Sequence, residues 1–145
     1  MERWTKLKGE VDLWKERAPA SFKPFYTQPH GVHGEPFPAI WLLFPWHSMF
    51  LFAYSDHMCA VCAVQSYNLA QILMALYSPG IPPGIAALSF LRRMEVQVES
   101  YAREICGISL TNANVSARIN AVEPLRLCIF PLLRYLLYRW TMSSC

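Results

Sequence analysis

Apolar positions recur along this chain at helical spacings. Between residues 3 and 17, Trp4, Leu7, Val11 and Trp14 stand three, four and three residues apart, with Lys6, Lys8, Glu10, Asp12 and Lys15 between them. That spacing predicts an amphipathic helix within residues 1–18. It stops at Ala18 because a residue before proline is steered away from helical dihedrals. A Pro-rich loop over 19–38 follows, with prolines at 19, 24, 29, 36 and 38 and glycines at 31 and 34. Its Phe22, Phe25, Tyr26 and Phe37 are expected to dock on the body, since an exposed aromatic patch of that size is unusual. Residues 39–54 are apolar nearly all round, which predicts a buried helix. Residues 63–77 contain no helix breaker and set Leu69, Ile72, Leu73 and Leu76 on one stripe. Pro79, Pro82 and Pro83 then exclude regular structure over 78–84. A long helix is expected over 85–108, with Ile85, Leu88, Leu91, Val98, Tyr101, Ala102 and Ile105 inward and Glu95, Glu99 and Arg103 on a solvated face. Gly107 is read as marking its end, and Thr111, Asn112 and Asn114 as caps. Further helices are expected over 115–122 and 125–140. No Asn-Gly or Asp-Gly turn joins two alternating runs, so no strand pair is expected. The expected fold class is all-α, with about five to six helices and one Pro-rich loop.

Composition narrows what such a chain can be. Of 145 residues 54% are hydrophobic and 16% are charged, which excludes a disordered segment and suits one domain. Eleven prolines and the apolar excess suggest a piece that works with partners. The net charge of +3 forms no single-sign cluster, so direct nucleic-acid contact is not expected. Five cysteines, an odd number, and a charged N-terminus without the pattern of a secretory leader point to a reducing compartment. Two windows, 37–54 and 125–142, approach membrane-spanning length. Pro38, Pro45 and His47 interrupt the first and Arg126, Arg134 and Arg139 the second, which argues against a membrane span.

The sharpest chemical pattern is His57-Met58-Cys59-Ala60-Val61-Cys62. A Cys-x-x-Cys pair brings two thiolates within reach of one zinc ion, with His57 as a third ligand, but no fourth ligand stands nearby. A redox role lacks the alternating strand and helix context of that motif. The favoured reading is two small apolar residues in a buried segment. His30, His33 and Glu35 are read as solvated loop residues, and His47 as a hydrogen-bonded core histidine without an acid or nucleophile to work with. No nucleophile elbow, phosphate loop or His-Glu-x-x-His pattern is present. Neither catalytic, cofactor-binding nor metal-binding residues are assigned, and an enzyme is not expected. Trp4, Trp14, Trp41, Trp46 and Trp140 are read as core and interface rather than stacking platforms.

The residue order also carries a resemblance. Val11 to Trp14, Arg17-Ala18-Pro19, Phe22-Lys23-Pro24 and Pro36-Phe37-Pro38-Ala39-Ile40-Trp41 resemble the "L-x-x-W…P-x-x-F-x-P…F-P-x-I-W" passage in the regulatory region of fungal zinc binuclear-cluster transcription factors. The run from Tyr67 to Pro79 is similar to that region's "Y-x-x-A-x-I-L-L-A-x-x-x-P". The run from Arg103 to Asn112 is similar to "R-x-I-C-G-I-A-L-S-N", and the one from Arg118 to Leu125 to "R-x-N-A-V-x-P-L". Together these span most of residues 11–128.

The resemblance implies a helical regulatory domain that acts in the nucleus through partners of the transcription machinery or self-association. It implies no catalytic residue, and no small-molecule ligand is identified. The family's six-cysteine DNA-binding cluster is not matched here, so neither zinc nor DNA contact carries over to Cys59 and Cys62. Residues 48–62 interrupt the alignment as an apolar insertion within the 39–128 helical core. Ser48-Met49-Phe50 can be encoded with a splice-donor-like GTATGT, consistent with a retained intron, and deleting 48–62 is expected to raise soluble yield. Residues 129–145 depart as an apolar tail. The alternatives are a small membrane-associated helical protein, or a non-functional fragment from a gene-model error.

Overall fold

Uninterrupted runs of helix formers produce the two longest elements. In the computed structural model, which describes residues 1–29, 37–42, 54–112, 115, 117–122 and 126, three α-helices dominate. They are α1 (Glu2–Arg17), α2 (Tyr54–Leu76) and α3 (Ile85–Thr111). A single 3-10 turn (Ala20–Phe22) follows α1, and residues 117–122 are helical. The fold is thus mostly helical, but five to six helices are not matched among the described residues. The helix expected over 125–140 falls almost wholly outside them.

α1 stops at Ala18, whose ψ of 137° before Pro19 is the extended geometry proline imposes. α2 ends on a tightened turn, in which the Ser78 amide donates to Ala75 O rather than Met74 O. The prolines of 79–83 then prevent continuation. Gly80 and Gly84, at φ 90° and 70°, reverse the chain into α3 in a region that side chains rarely enter.

Two short strands correct the all-helical expectation. β1 (Tyr26–Gln28) pairs antiparallel with β2 (Ala39–Trp41), in the register Tyr26 to Trp41, Thr27 to Ile40 and Gln28 to Ala39. The start of the helix expected over 39–54 is therefore strand, and residues 43–53 lie outside the described residues. Each strand is three residues long, so neither carries enough alternation to register as a period of two. β1 is the solvent-facing partner. Tyr26 on it and Phe25 just before it are exposed, contrary to the docking expected of them, while Phe22 and Phe37 are half-buried.

The core has two parts. Ile40, Leu42, Val61, Ile108 and Ala117 form one, and Ile72, Val98, Ile105 and Ala121 the other. Ala60 and Val61, which fall in the expected 48–62 insertion, are fully buried on the same continuous α2 as Ile72. Ile72 and Ile105 are core residues as expected and Ile108 joins them, whereas Leu69, Leu73 and Leu76 are only half-buried. The first two turns of α3 also differ from expectation. Ile85, Leu88 and Leu91 are exposed, and burial begins in earnest at Val98.

Candidate functional site

The densest specific geometry lies where β2 meets the C-terminal end of α3. Gly107 is the enabling residue: a Cβ there would overlap the Pro38 carbonyl oxygen, so only glycine lets the strand approach the helix. Its place is inside α3 rather than at the terminus expected for it. Thr111 and Asn112 then satisfy the strand. The Ile40 amide donates to Thr111 Oγ1 (3.3 Å), the Leu42 amide to Asn112 Oδ1 (3.2 Å), and Asn112 Nδ2 donates to Ile40 O (2.9 Å). Asn112 Nδ2 also donates to Ile108 O (2.8 Å), closing the helix end as a cap. One side-chain amide therefore does what a third strand would do for β2.

A buried polar stripe on α2 continues this junction. Gln65, Asn68 and Gln71 are each about 1% exposed, although the chain around them is apolar. Gln65 Nε2 donates to Ser109 Oγ (2.8 Å) and Ala117 O (2.9 Å), while Ser109 donates to Ile105 O (2.8 Å). Asn68 Nδ2 donates to Glu104 Oε2 (3.2 Å). Gln71 Nε2 donates to Asp12 Oδ1 and to the Tyr67 hydroxyl, both at 2.8 Å. Sequence reasoning centred on the leucine stripe missed these three residues. Their signal was present as polar residues three apart in an otherwise apolar helix.

α1 is held by its side chains alone, since none of its residues is fully buried. Trp14 stacks on Tyr67 with centroids 5.3 Å apart and tilts against Phe22 at 6.2 Å. Lys15 Nζ lies 5.4 Å from the Tyr67 ring centroid, a cation–π distance. Trp4 Nε1 donates to Met74 O, a carbonyl left open by the tightened end of α2. The Lys8 ammonium, bonded to both Asp12 oxygens, holds that carboxyl below its usual range against the opposing effect of burial. Burial pushes the Tyr67 hydroxyl up, so it stays neutral and can accept from Gln71.

An open cleft of about 310 Å³ lies beside α1, lined among others by Trp4, Met74, Phe90, Met94, Lys8 and Arg93. Lys8 is already engaged by Asp12.

Cys59 and Cys62 share α2, and His57 precedes them on the same helix. Among the described residues no group of three or more His, Cys, Asp or Glu could hold a metal ion. Cys59 is exposed and Cys62 half-buried, which corrects the reading of both as buried apolar residues. Asn120 Nδ2 donates to Cys62 Sγ at 2.9 Å. His30, His33, Glu35 and His47 lie outside the described residues.

The chain is similar to the transcription activator AMTR1 of Alternaria alternata, 25% identical over 132 residues that cover 85% of this chain and 16% of that protein. It thus spans about a sixth of the length of the curated relative it matches. No family model matches the chain, and no solved structure matches it. The similarity supports kinship with a transcription factor at that coarse level.

Proposed function

We propose that this chain is the regulatory part of a fungal zinc-cluster type transcription factor, working in the nucleus through protein contacts rather than by touching DNA. The observation that supports it most is the junction of β2 with α3. The stretches that resemble the family's regulatory region, around residues 36–41 and 103–112, pack on each other through Gly107, Thr111 and Asn112. The Tyr67 to Pro79 stretch and the Val11 to Trp14 stretch meet likewise, through Trp14 on Tyr67 and Asp12 on Gln71. Motifs scattered over a hundred residues become one packed unit. The similarity to a transcription activator agrees with this reading.

The test tethers the chain to a sequence-specific bacterial DNA-binding module upstream of a reporter. Reporter output is expected to change relative to the module alone, while the untethered chain retards no DNA in a gel. Asn112→Leu, which unseats β2, should cancel the effect. A tethered chain that is helical by circular dichroism yet leaves the reporter unchanged would sink the proposal.

The membrane reading rests on residues 37–54 and 125–142, which lie mostly outside the described residues, and one observation elsewhere favours it. The segment Cys59–Leu76 is long and apolar enough to cross a bilayer by length and composition. That segment nevertheless contains Gln65, Asn68 and Gln71, whose amides bond to groups of other elements. In hydrocarbon each would need such partners anyway, and here the partners are this chain's own. A core helix accounts for the pattern.

A further inference from the structure

We propose that Cys59 and Cys62 form a peroxide-responsive thiol pair whose closure to a disulfide loosens residues 117–122 from α2. Three observations carry this. The two residues stand at i and i+3 on one continuous helix, a spacing that sets their Cα atoms roughly 5 Å apart, inside the range a disulfide spans, and their Cβ atoms roughly 5–6 Å apart, so closure must also tighten this turn of α2. Cys59 is exposed and so open to a soluble oxidant, whereas Cys62 is half-buried. Cys62 is also the acceptor for the Asn120 side-chain amide, so its sulfur is one of the points that pin the helical residues 117–122. Ala117 and Ala121 from that segment enter both parts of the core, which makes it a sensitive place to pull.

The chemistry balances with a hydroperoxide as oxidant. The Cys59 thiolate attacks the O–O bond, taking one oxygen to become a sulfenic acid while the other leaves as hydroxide or alkoxide. The sulfur loses two electrons and the peroxide gains them. Cys62, as thiolate, then attacks the Cys59 sulfur, forming the S–S bond and releasing hydroxide, which recovers the thiol proton as water. Turning Cys62 Sγ toward Cys59 takes it away from Asn120 Nδ2. Cys106 is the internal contrast: burial pushes its thiol up, which keeps it protonated and slow to react.

The full chain is treated with hydrogen peroxide, alkylated and digested, and in parallel its amide exchange is followed by mass spectrometry. The expected product is a 59–62 peptide about 2 Da lighter than its dithiol, regained on reduction, with Cys106 still alkylated. Exchange over 117–122 should quicken about twofold, the low end of what one lost hydrogen bond gives, because this one is exposed and its sulfur is a weak acceptor. Cys62→Ser should leave Cys59 as a sulfenic acid that dimedone traps, and Cys59→Ser should abolish the response. The proposal is overturned if Cys59 and Cys62 alkylate as before at a dose that oxidises free cysteine. It is equally overturned if either pairs with another cysteine instead, or if the disulfide forms and exchange over 117–122 stays unchanged.

Discussion

Asn112 shows how much of this fold can rest on one side chain. Replacing it with Ala leaves the Leu42 amide and the Ile40 carbonyl without their partners, and each orphaned buried group costs about 1–3 kcal/mol. Asn112→Ala should therefore destabilise by about 2–6 kcal/mol, seen as a lower urea midpoint with unchanged slope. Two glycines give a matched pair of opposite sign. At Gly9, on the open face of α1, nothing lies within 4 Å of a new Cβ, so Gly9→Ala should stabilise by about 0.5–1 kcal/mol through helix entropy alone. Gly107→Ala would gain the same term but drive a methyl into the Pro38 carbonyl. Backbone yields less readily than a side-chain tip, so overpacking of about 1–3 kcal/mol or more wins and the variant should be destabilised. Thermal denaturation of the two variants side by side checks both signs. An unaffected Gly107→Ala would mean that the strand does not approach α3 as described.

Among the elements α1 is the most weakly held, fastened by Trp4, Trp14 and Asp12 rather than by buried bulk. Trp14→Ala should release it, so that trypsin cuts after Lys15 and Arg17 much faster while α2 and α3 stay protected. Loss of protection in all three helices together would show that α1 is integral to the core. Acid should act on the same element. The folded state holds the Asp12 carboxyl below its ordinary 3.8, so its ionised form stabilises docking above that value. The contribution fades as pH falls from there through the lower folded value. Tryptophan fluorescence followed through that window should show α1 loosening, and Asp12→Asn should remove the acid dependence. The helix α1 was legible in the sequence because Pro19 ends it, and α3 because the prolines of 79–83 and Gly84 precede it. The face α2 buries was not, because Gln65, Asn68 and Gln71 are core only by virtue of partners on other elements. Nor was the strand pair: each strand is only three residues long, and besides β1 the partners of β2 are residues about seventy positions away, which no local pattern announces. Of the junction itself, the cap at Asn112 could be read from the helix end, but the close approach at Gly107 could not.

For the molecule as a whole, the position of residues 48–62 matters most. If they were an addition to an otherwise finished domain, deleting them would raise soluble yield. The structure sets a cost against that, because Ala60 and Val61 are fully buried and Val61 packs with Ile40, Leu42 and Ile108. The deletion is expected to lower both yield and helicity, and gel filtration with circular dichroism would show it. A cleaner, more helical product would instead mark the segment as dispensable. The distance in sequence between β2 and its partners has a further consequence, one of timing. Ile40 and Leu42 cannot gain these partners until Thr111 and Asn112 exist, and a ribosome adding about 5–20 residues each second needs roughly 4–14 s to make the intervening chain. Throughout that interval Trp41 can already pair with β1, while the Ile40 and Leu42 backbone groups are left to water, and it is in those seconds that a chaperone binding extended apolar chain has its target.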